Sequence, residues 1–114
     1  MRRDSERLSD ILEASEKIAA RVARGRQIFH GDEDTQIVLV HLIQVIGEAA
    51  AGLSDEFTLE HSEIPWRQIV AVRNRVVHGY FEVDLDILWD VAAVDVPRLA
   101  EQVHVIRSEL VGEP

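Results

Sequence analysis

The segment from Gln36 to Ala51 constrains the fold most, because apolar residues occupy nearly every side of the helix that it predicts. Asp32 or Asp34 can cap its first turn, and Gly52 ends it. A helix that is apolar on more than one face lies at the centre of a bundle or is shared with a second subunit. We expect both. The apolar positions are Ile37, Val38, Leu39, Val40, Leu42, Ile43, Val45, Ile46, Ala49 and Ala50.

Apolar residues at helical spacing also predict a first helix that starts at Ser5 and ends near Gly25. A third helix begins at Ile64-Pro65-Trp66, because proline is tolerated in a first turn, and runs to about His78 with Gly79 as its C-terminal cap. We read Arg26 to Gly31 as a connector with room for a short helical turn. Leu53 to Ser62 is a linker with at most one turn.

Asp84 is the predicted N-cap of a fourth helix that continues to Leu110. Pro97 falls inside it, removes one backbone hydrogen bond, and predicts a kink or a boundary near Asp95. With few glycines and prolines and only 5% aromatic residues, the chain is typical of an all-α fold. We predict a compact helical bundle of about four to five helices, forming one domain over residues 1–114.

Charge and cysteine content limit the possible functions. The chain has no cysteine, which excludes disulfides, thiolate metal sites and a cysteine nucleophile, and fits a reducing cytoplasm. It has neither a secretory signal nor an apolar run of membrane-spanning length, so we expect no membrane association. The net charge of −9 argues against broad binding to a phosphate backbone. Any nucleic-acid site must therefore be local.

One octapeptide, Arg73-Asn74-Arg75-Val76-Val77-His78-Gly79-Tyr80, concentrates the side chains with chemical potential. Histidine exchanges protons near neutral pH, and arginine binds phosphate and stabilises charge on its oxygens. Together they suffice for metal-free RNA cleavage, in which a base removes the proton of a 2′-hydroxyl and the freed oxygen attacks the neighbouring phosphorus.

A structural explanation competes with this chemical one. Cations near a helix C-terminus complement the helix dipole, and on composition alone this explanation is favoured. On a regular helix, moreover, Arg73 and His78 are about 140° apart around the axis. The two side chains share a site only if the helix unwinds near Gly79 or a second subunit completes the site.

The order of several motifs resembles the HepT branch of the HEPN superfamily over nearly the whole chain. Arginine, a polar residue, a short spacer and histidine form the superfamily's ribonuclease motif, and the following Gly-Tyr gives the Arg-x4-His-x-Tyr form of this branch. The flanking blocks make the resemblance more specific. They are Ile46-Gly47-Glu48-Ala49-Ala50, Leu53-Ser54, Ile64-Pro65-Trp66, Trp89 and Pro97-Arg98-Leu99.

This resemblance implies a homodimer that brings two Arg-His motifs together across a cleft. It implies a metal-independent endoribonuclease toxin of a toxin–antitoxin module, whose antitoxin is a minimal nucleotidyltransferase of the MntA kind that transfers AMP from ATP to the motif tyrosine. Arg73 and His78 would be catalytic, with Asn74 supporting them and Arg75 binding RNA. Tyr80 would be the modified residue, and no cofactor is implied.

A second hypothesis is a non-catalytic HEPN dimer that serves as the binding partner of a nucleotidyltransferase. The acidic net charge favours it, and only activity separates the two. His41, Gln44 and Glu48 share one helix face, but a single histidine and no aspartate predict a polar patch, buried or interfacial, rather than a metal site. Glu48 is expected to pair with an arginine of the third helix.

Overall fold

Two nineteen-residue helices, α1 (Asp4–Val22) and α3 (Glu33–Ala51), pack along each other and form the framework of the protein. The computed structural model describes residues 3–78 and 82–110. The remaining elements are α2 (Arg26–Gly31), α4 (Asp55–Glu60), α5 (Trp66–Val70), α6 (Val72–Val76), β1 (Val77–His78), β2 (Glu82–Val83), α7 (Leu85–Asp90), a π-helical segment (Val91–Asp95) and α8 (Val96–Leu110). The predicted all-α class is confirmed.

The core forms where α1, α3 and α8 meet. Side chains such as Leu8 and Ile11 of α1, Leu39 of α3 and Val103 of α8 are completely buried. Within each helix, the buried residues recur every three or four positions, which places them on the face that contacts the neighbouring helices. Full burial of such a side chain contributes roughly 1.5–3 kcal/mol, so these three helices carry much of the stability.

Helix α3 is central, as predicted, and contacts α1, α2, α5, α6 and α7. Its N-cap is Asp32, whose side chain accepts hydrogen bonds from the Asp34 N–H at 3.1 Å and from the Thr35 hydroxyl at 2.7 Å. The Thr35 hydroxyl, and then the backbone N–H groups of Thr35 and Asp34, hold the pKa of Asp32 below its ordinary value of 3.8. The cap therefore prefers the ionised carboxylate.

The prediction of a continuous third helix to His78 is wrong. The helix breaks at Ala71 into α5 and α6 and ends at Val76, because Val77 is extended with φ −109° and ψ 121°. β-Branched residues favour this extended backbone, and Val77 pairs with Val83 across the short antiparallel ladder β1–β2. Gly79, the predicted cap, lies outside the described residues.

The N-terminal helix is fastened to α4 by one carboxylate. Asp4 accepts hydrogen bonds from the Ser54 backbone N–H at 2.9 Å and from its hydroxyl at 2.7 Å. Ser54 Oγ in turn accepts from the Phe57 N–H and caps α4. This cap supports a six-residue helix, so the linker is more ordered than the single turn that we predicted. The connector Arg26–Gly31 likewise forms α2.

The fourth predicted helix is confirmed in its start and in its interruption. Asp84 accepts a hydrogen bond from the Ile87 N–H at 3.0 Å and caps α7. The Val96 N–H donates to the carbonyl of Val91, five residues earlier, so a π turn stands immediately before Pro97. Within the described ranges 3–78 and 82–110, no helix is long and apolar enough to cross a membrane.

Candidate active site

The motif residues Arg73 and Asn74 lie on α6 and are exposed to solvent. Both line a groove of about 240 Å³ between α6 and α3, which we call the Arg73 groove. Among the described residues, neither side chain takes part in an ion pair or a hydrogen bond. Their polar groups are therefore available to a ligand.

The end of α6 determines where His78 can lie. Since the helix stops at Val76, the angular separation expected for Arg73 and His78 on a regular helix does not apply. The backbone of His78 pairs with Glu82 in the β1–β2 ladder, and the Asp84 N–H closes the same turn on the Val76 carbonyl at 2.8 Å. The side chain of His78 is not described by the structure, and Tyr80 lies outside the described residues.

Arg75 projects to the other side of α6 from Arg73. It lines a separate groove of about 290 Å³, which we call the Arg98 groove, between α5, α6, α3 and the start of α8. Its Nη1 lies 3.8 Å from Oδ2 of Asp95 in the π-helical segment. Both side chains are about half exposed, so this ion pair is weak and can open. The two grooves share Ile43 and Val72 as lining residues.

The polar face of α3 borders the Arg73 groove. Gln44 and Glu48 line the groove, and Gln44 Nε2 donates to Glu48 Oε1 at 3.2 Å. The expected partner of Glu48 was an arginine; in the described residues it is Gln44 that holds the carboxylate. His41, Gln44 and Glu48 are all exposed, so the prediction that this polar patch is buried is wrong, and an interfacial patch stays a prediction. No three acidic or histidine side chains within residues 3–78 and 82–110 are arranged to hold a metal ion.

Local charge reverses around the motif. The whole chain carries −9, but residues 64–81 contain three arginines and no acidic residue. Arg67, Arg73 and Arg75 are all exposed. This segment is therefore a basic stretch on an acidic protein, the kind of local site that the sequence left open for a nucleic acid.

Three groove residues were missed from the sequence. Gln68, Arg98 and Gln102 line the Arg98 groove together with Arg75, although α5, α6 and α8 contribute them from distant parts of the chain. From the sequence, Arg98 was noted only as part of the Pro97-Arg98-Leu99 block that resembles the family, and no role was predicted for it. Spacing along a helix could not have found this set, because it forms only when three helices meet.

The bundle and the motif at the end of α6 define the class of the protein, a HEPN-type helical domain. The sequence profile of the family described as Ribonuclease HepT-like matches residues 11–106. The chain therefore belongs to the HepT-like ribonuclease family, and the predicted enzyme class is confirmed at the level of the family.

Individual relatives agree with this membership. The chain is similar to the probable ribonuclease HepT of Thermococcus cleftensis, with 34% identity over 89% of this chain and 93% of that protein. A putative RNase of Methanocaldococcus jannaschii is 29% identical over 75% of this chain and 70% of its own length. Another putative RNase, from Caldanaerobacter subterraneus, is 37% identical over 59% of this chain and 60% of that protein. No solved structure matches.

Proposed function

We propose that this chain is a metal-independent endoribonuclease toxin in which Arg73 and His78 form the catalytic pair. The observation that carries the proposal is the end of α6: Arg73 and Asn74 are exposed on this five-residue helix, and the backbone becomes extended at Val77, immediately before His78. Unwinding of this helix was the condition under which the two residues could share one site without a second subunit. The basic segment around them suits an RNA phosphate.

The proposed reaction uses only side chains. His78 takes the proton of the 2′-hydroxyl, and O2′ attacks the adjacent phosphorus while the bond to O5′ breaks. The leaving O5′ takes a proton from solvent and His78 releases its own to solvent, so the products are a 2′,3′-cyclic phosphate and a 5′-hydroxyl. Arg73 stabilises the charge that builds on the phosphoryl oxygens, and the Asn74 amide donates beside it. Arg75 binds RNA on the opposite side of α6.

Regulation is proposed at Tyr80. A nucleotidyltransferase antitoxin of the MntA kind would transfer AMP from ATP to the phenol oxygen and release pyrophosphate. In sequence Tyr80 is two residues from His78, between strands β1 and β2. A phosphodiester there adds negative charge and bulk where a substrate phosphate must bind, so the modified protein would be inactive.

A homodimer is proposed through the solvent side of α3. Ile37 is 59% exposed on this helix and offers an apolar contact to a second copy. It lies on the same face as His41, Gln44 and Glu48, at spacings of four, three and four residues. A second copy on this face would cover Ile37 and bring two Arg73 grooves next to each other.

The test is cleavage of a mixed tRNA and messenger RNA pool by the purified protein in excess chelator. Arg73→Ala and His78→Ala should each lower the rate by about 100-fold or more, as expected for loss of charge stabilisation or of a general base. Arg107→Ala is the matched control, because it removes the same charge from an exposed position of α8.

Wild-type fragments that end in 2′,3′-cyclic phosphate, absent for both motif variants, would support the proposal. Intact RNA with wild-type protein, whose Tyr80 is shown by mass to be unmodified, would contradict cleavage. That result would favour the non-catalytic binding partner, the alternative with which the −9 net charge agrees.

A further inference from the structure

The Arg98 groove combines an apolar floor with a polar rim. Buried side chains of three elements form the floor, among them Ile46 of α3, Val72 of α6 and Leu99 of α8. Exposed Gln68 and Arg98 lie on the rim, and Gln102 beside them is half-buried. An apolar floor with amide and guanidinium groups on its rim fits a flat, partly polar ring that is attached to an anion.

A π-helical turn borders this groove. Val91 and Asp95, the first and last residues of the π segment, both line it. π turns are rare because their hydrogen-bond geometry is poorer than that of an α-helix, and they occur frequently at functional sites. Here the turn places the Asp95 carboxylate 3.8 Å from the Arg75 guanidinium, at the edge of the groove.

The charges of the rim are only partly compensated. Asp95 faces Arg75, whereas Arg98 makes no ion pair or side-chain hydrogen bond with any residue in the described part of the chain. Like Arg73 in the other groove, exposed Arg98 therefore keeps its guanidinium open to an anion. It provides one guanidinium fork for a phosphate, and Arg75 provides a second when its ion pair opens.

We propose that the Arg98 groove is a nucleotide subsite for single-stranded RNA, in which the base of a nucleotide flanking the scissile phosphate lies on the apolar floor and its phosphate binds Arg98 and Arg75. This proposal rests on the proposed function. The Arg73 groove lies on the opposite side of α6, and the shared residues Ile43 and Val72 place the two grooves side by side. One RNA strand crossing α6 would occupy both.

The dimensions and chemistry favour a nucleotide over a peptide helix. The volume of about 290 Å³ is just below the roughly 300–1,000 Å³ typical of small-molecule sites, and it suits a single base. Gln68 and Gln102 each offer both a donor and an acceptor, which is what readout of an unstacked base edge requires. We therefore expect a base preference at one position beside the cleavage site.

Binding is measured in the His78→Ala background, so that the RNA stays intact, with a short fluorescein-labelled single-stranded RNA and anisotropy at several salt concentrations. Adding Arg98→Ala should weaken binding about tenfold. It should also reduce the slope of log affinity against log salt by about 0.7, the value for one lost phosphate contact on a single strand. Gln102→Ala should relax the base preference at one position of a randomised RNA.

Arg107→Ala is again the control, since it lies nine residues further along α8, about 180° around the helix from Arg98. Equal affinities and slopes for the Arg98 and Arg107 variants, or no RNA binding at all, would overturn the subsite. Arg98-dependent binding by a protein whose wild type cuts no RNA would support the subsite and overturn the proposed cleavage. Thermal melting of each variant, unchanged from the parent, establishes that exposed Arg98 is not needed for folding.

Discussion

The α1–α3 pair and the segment from Trp66 to His78 differ in the length of their elements and in the side chains that they bury. The pair consists of two long helices whose apolar residues repeat regularly and are buried against each other. The segment consists of two five-residue helices and a two-residue strand, and the polar side chains of its helices face solvent. The protein therefore separates the part that supplies stability from the part that presents Arg73 and Asn74 to a ligand.

This separation has a physical cause. A long helix gains stability from one continuous apolar face, and a polar group placed there would need a partner. A helix that ends early exposes its last turn and changes the direction of the chain. Here that change occurs directly before His78, which a straight helix would have carried away from Arg73.

The largest loss of stability is expected for a substitution on the buried side of α3. Leu39 is completely buried, so Leu39→Ala should lower the free energy of unfolding by about 2–5 kcal/mol through lost burial and a cavity. Leu59→Ala, at a position that is 77% exposed on α4, should change it by less than about 0.5 kcal/mol. Urea denaturation measures both, and equal losses would remove the claim that stability resides in the α1–α3 framework.

A smaller effect is expected where the two regions touch. A Cβ at Gly47 of α3 would lie 3.3 Å from the Val70 carbonyl oxygen and 3.4 Å from that of Ile69, at the end of α5. Gly47→Val should destabilise the protein by about 1–3 kcal/mol and also lower cleavage, because it pushes α5 and the motif away from α3.

The control for this substitution is Gly31→Val, where nothing lies within 4 Å of the added Cβ. It should leave both stability and cleavage near wild-type values. If Gly47→Val lowered stability but left the cleavage rate intact, the position of the motif would not depend on this contact.

The smallest effect is a pH dependence of stability, and it arises from the cap of α3 in the framework. Because Asp32 has a lowered pKa in the folded state, its ionised form stabilises α3 above the ordinary value of 3.8, and this contribution disappears as pH falls through the lower folded value. Wild type should therefore exceed Asp32→Asn in denaturation midpoint at neutral pH and lose that advantage in acid. A constant difference down to the acid limit would show that charge is not what the cap contributes.

Much of the framework could be predicted from the sequence, because its causes are local. The buried face of α1, the central place of α3 and the cap at Asp84 all follow from spacing or from short capping motifs, and Asp32 was one of two candidate caps for α3. Pro97 likewise indicated an interruption near Asp95, since a missing N–H is a property of one residue. The structure supplied the form of that interruption, a π turn.

The site was less predictable, because it depends on contacts between distant segments. The octapeptide singled out Arg73 and Asn74 as site residues, and both are exposed on α6, but the end of α6 at Val76 was not foreseen. Extended pairing with Val83 decides that end, and a helix pattern cannot reveal a strand partner. The same holds for Arg98, which reaches the groove beside Arg75 only through the packing of α8.

The π turn at Val91–Asp95 contains one residue more than the α-helical turn that it replaces. Deleting a single residue there would restore a regular helix and leave Arg98 and Leu99 in nearly the same orientation, because the extra residue is taken up within the turn. A deletion inside the regular part of α8 would instead rotate every following residue by about 100°. The length of the chain can therefore change at this turn without removing α8 from the Arg98 groove, whereas the same change one turn later would carry Gln102 away from it.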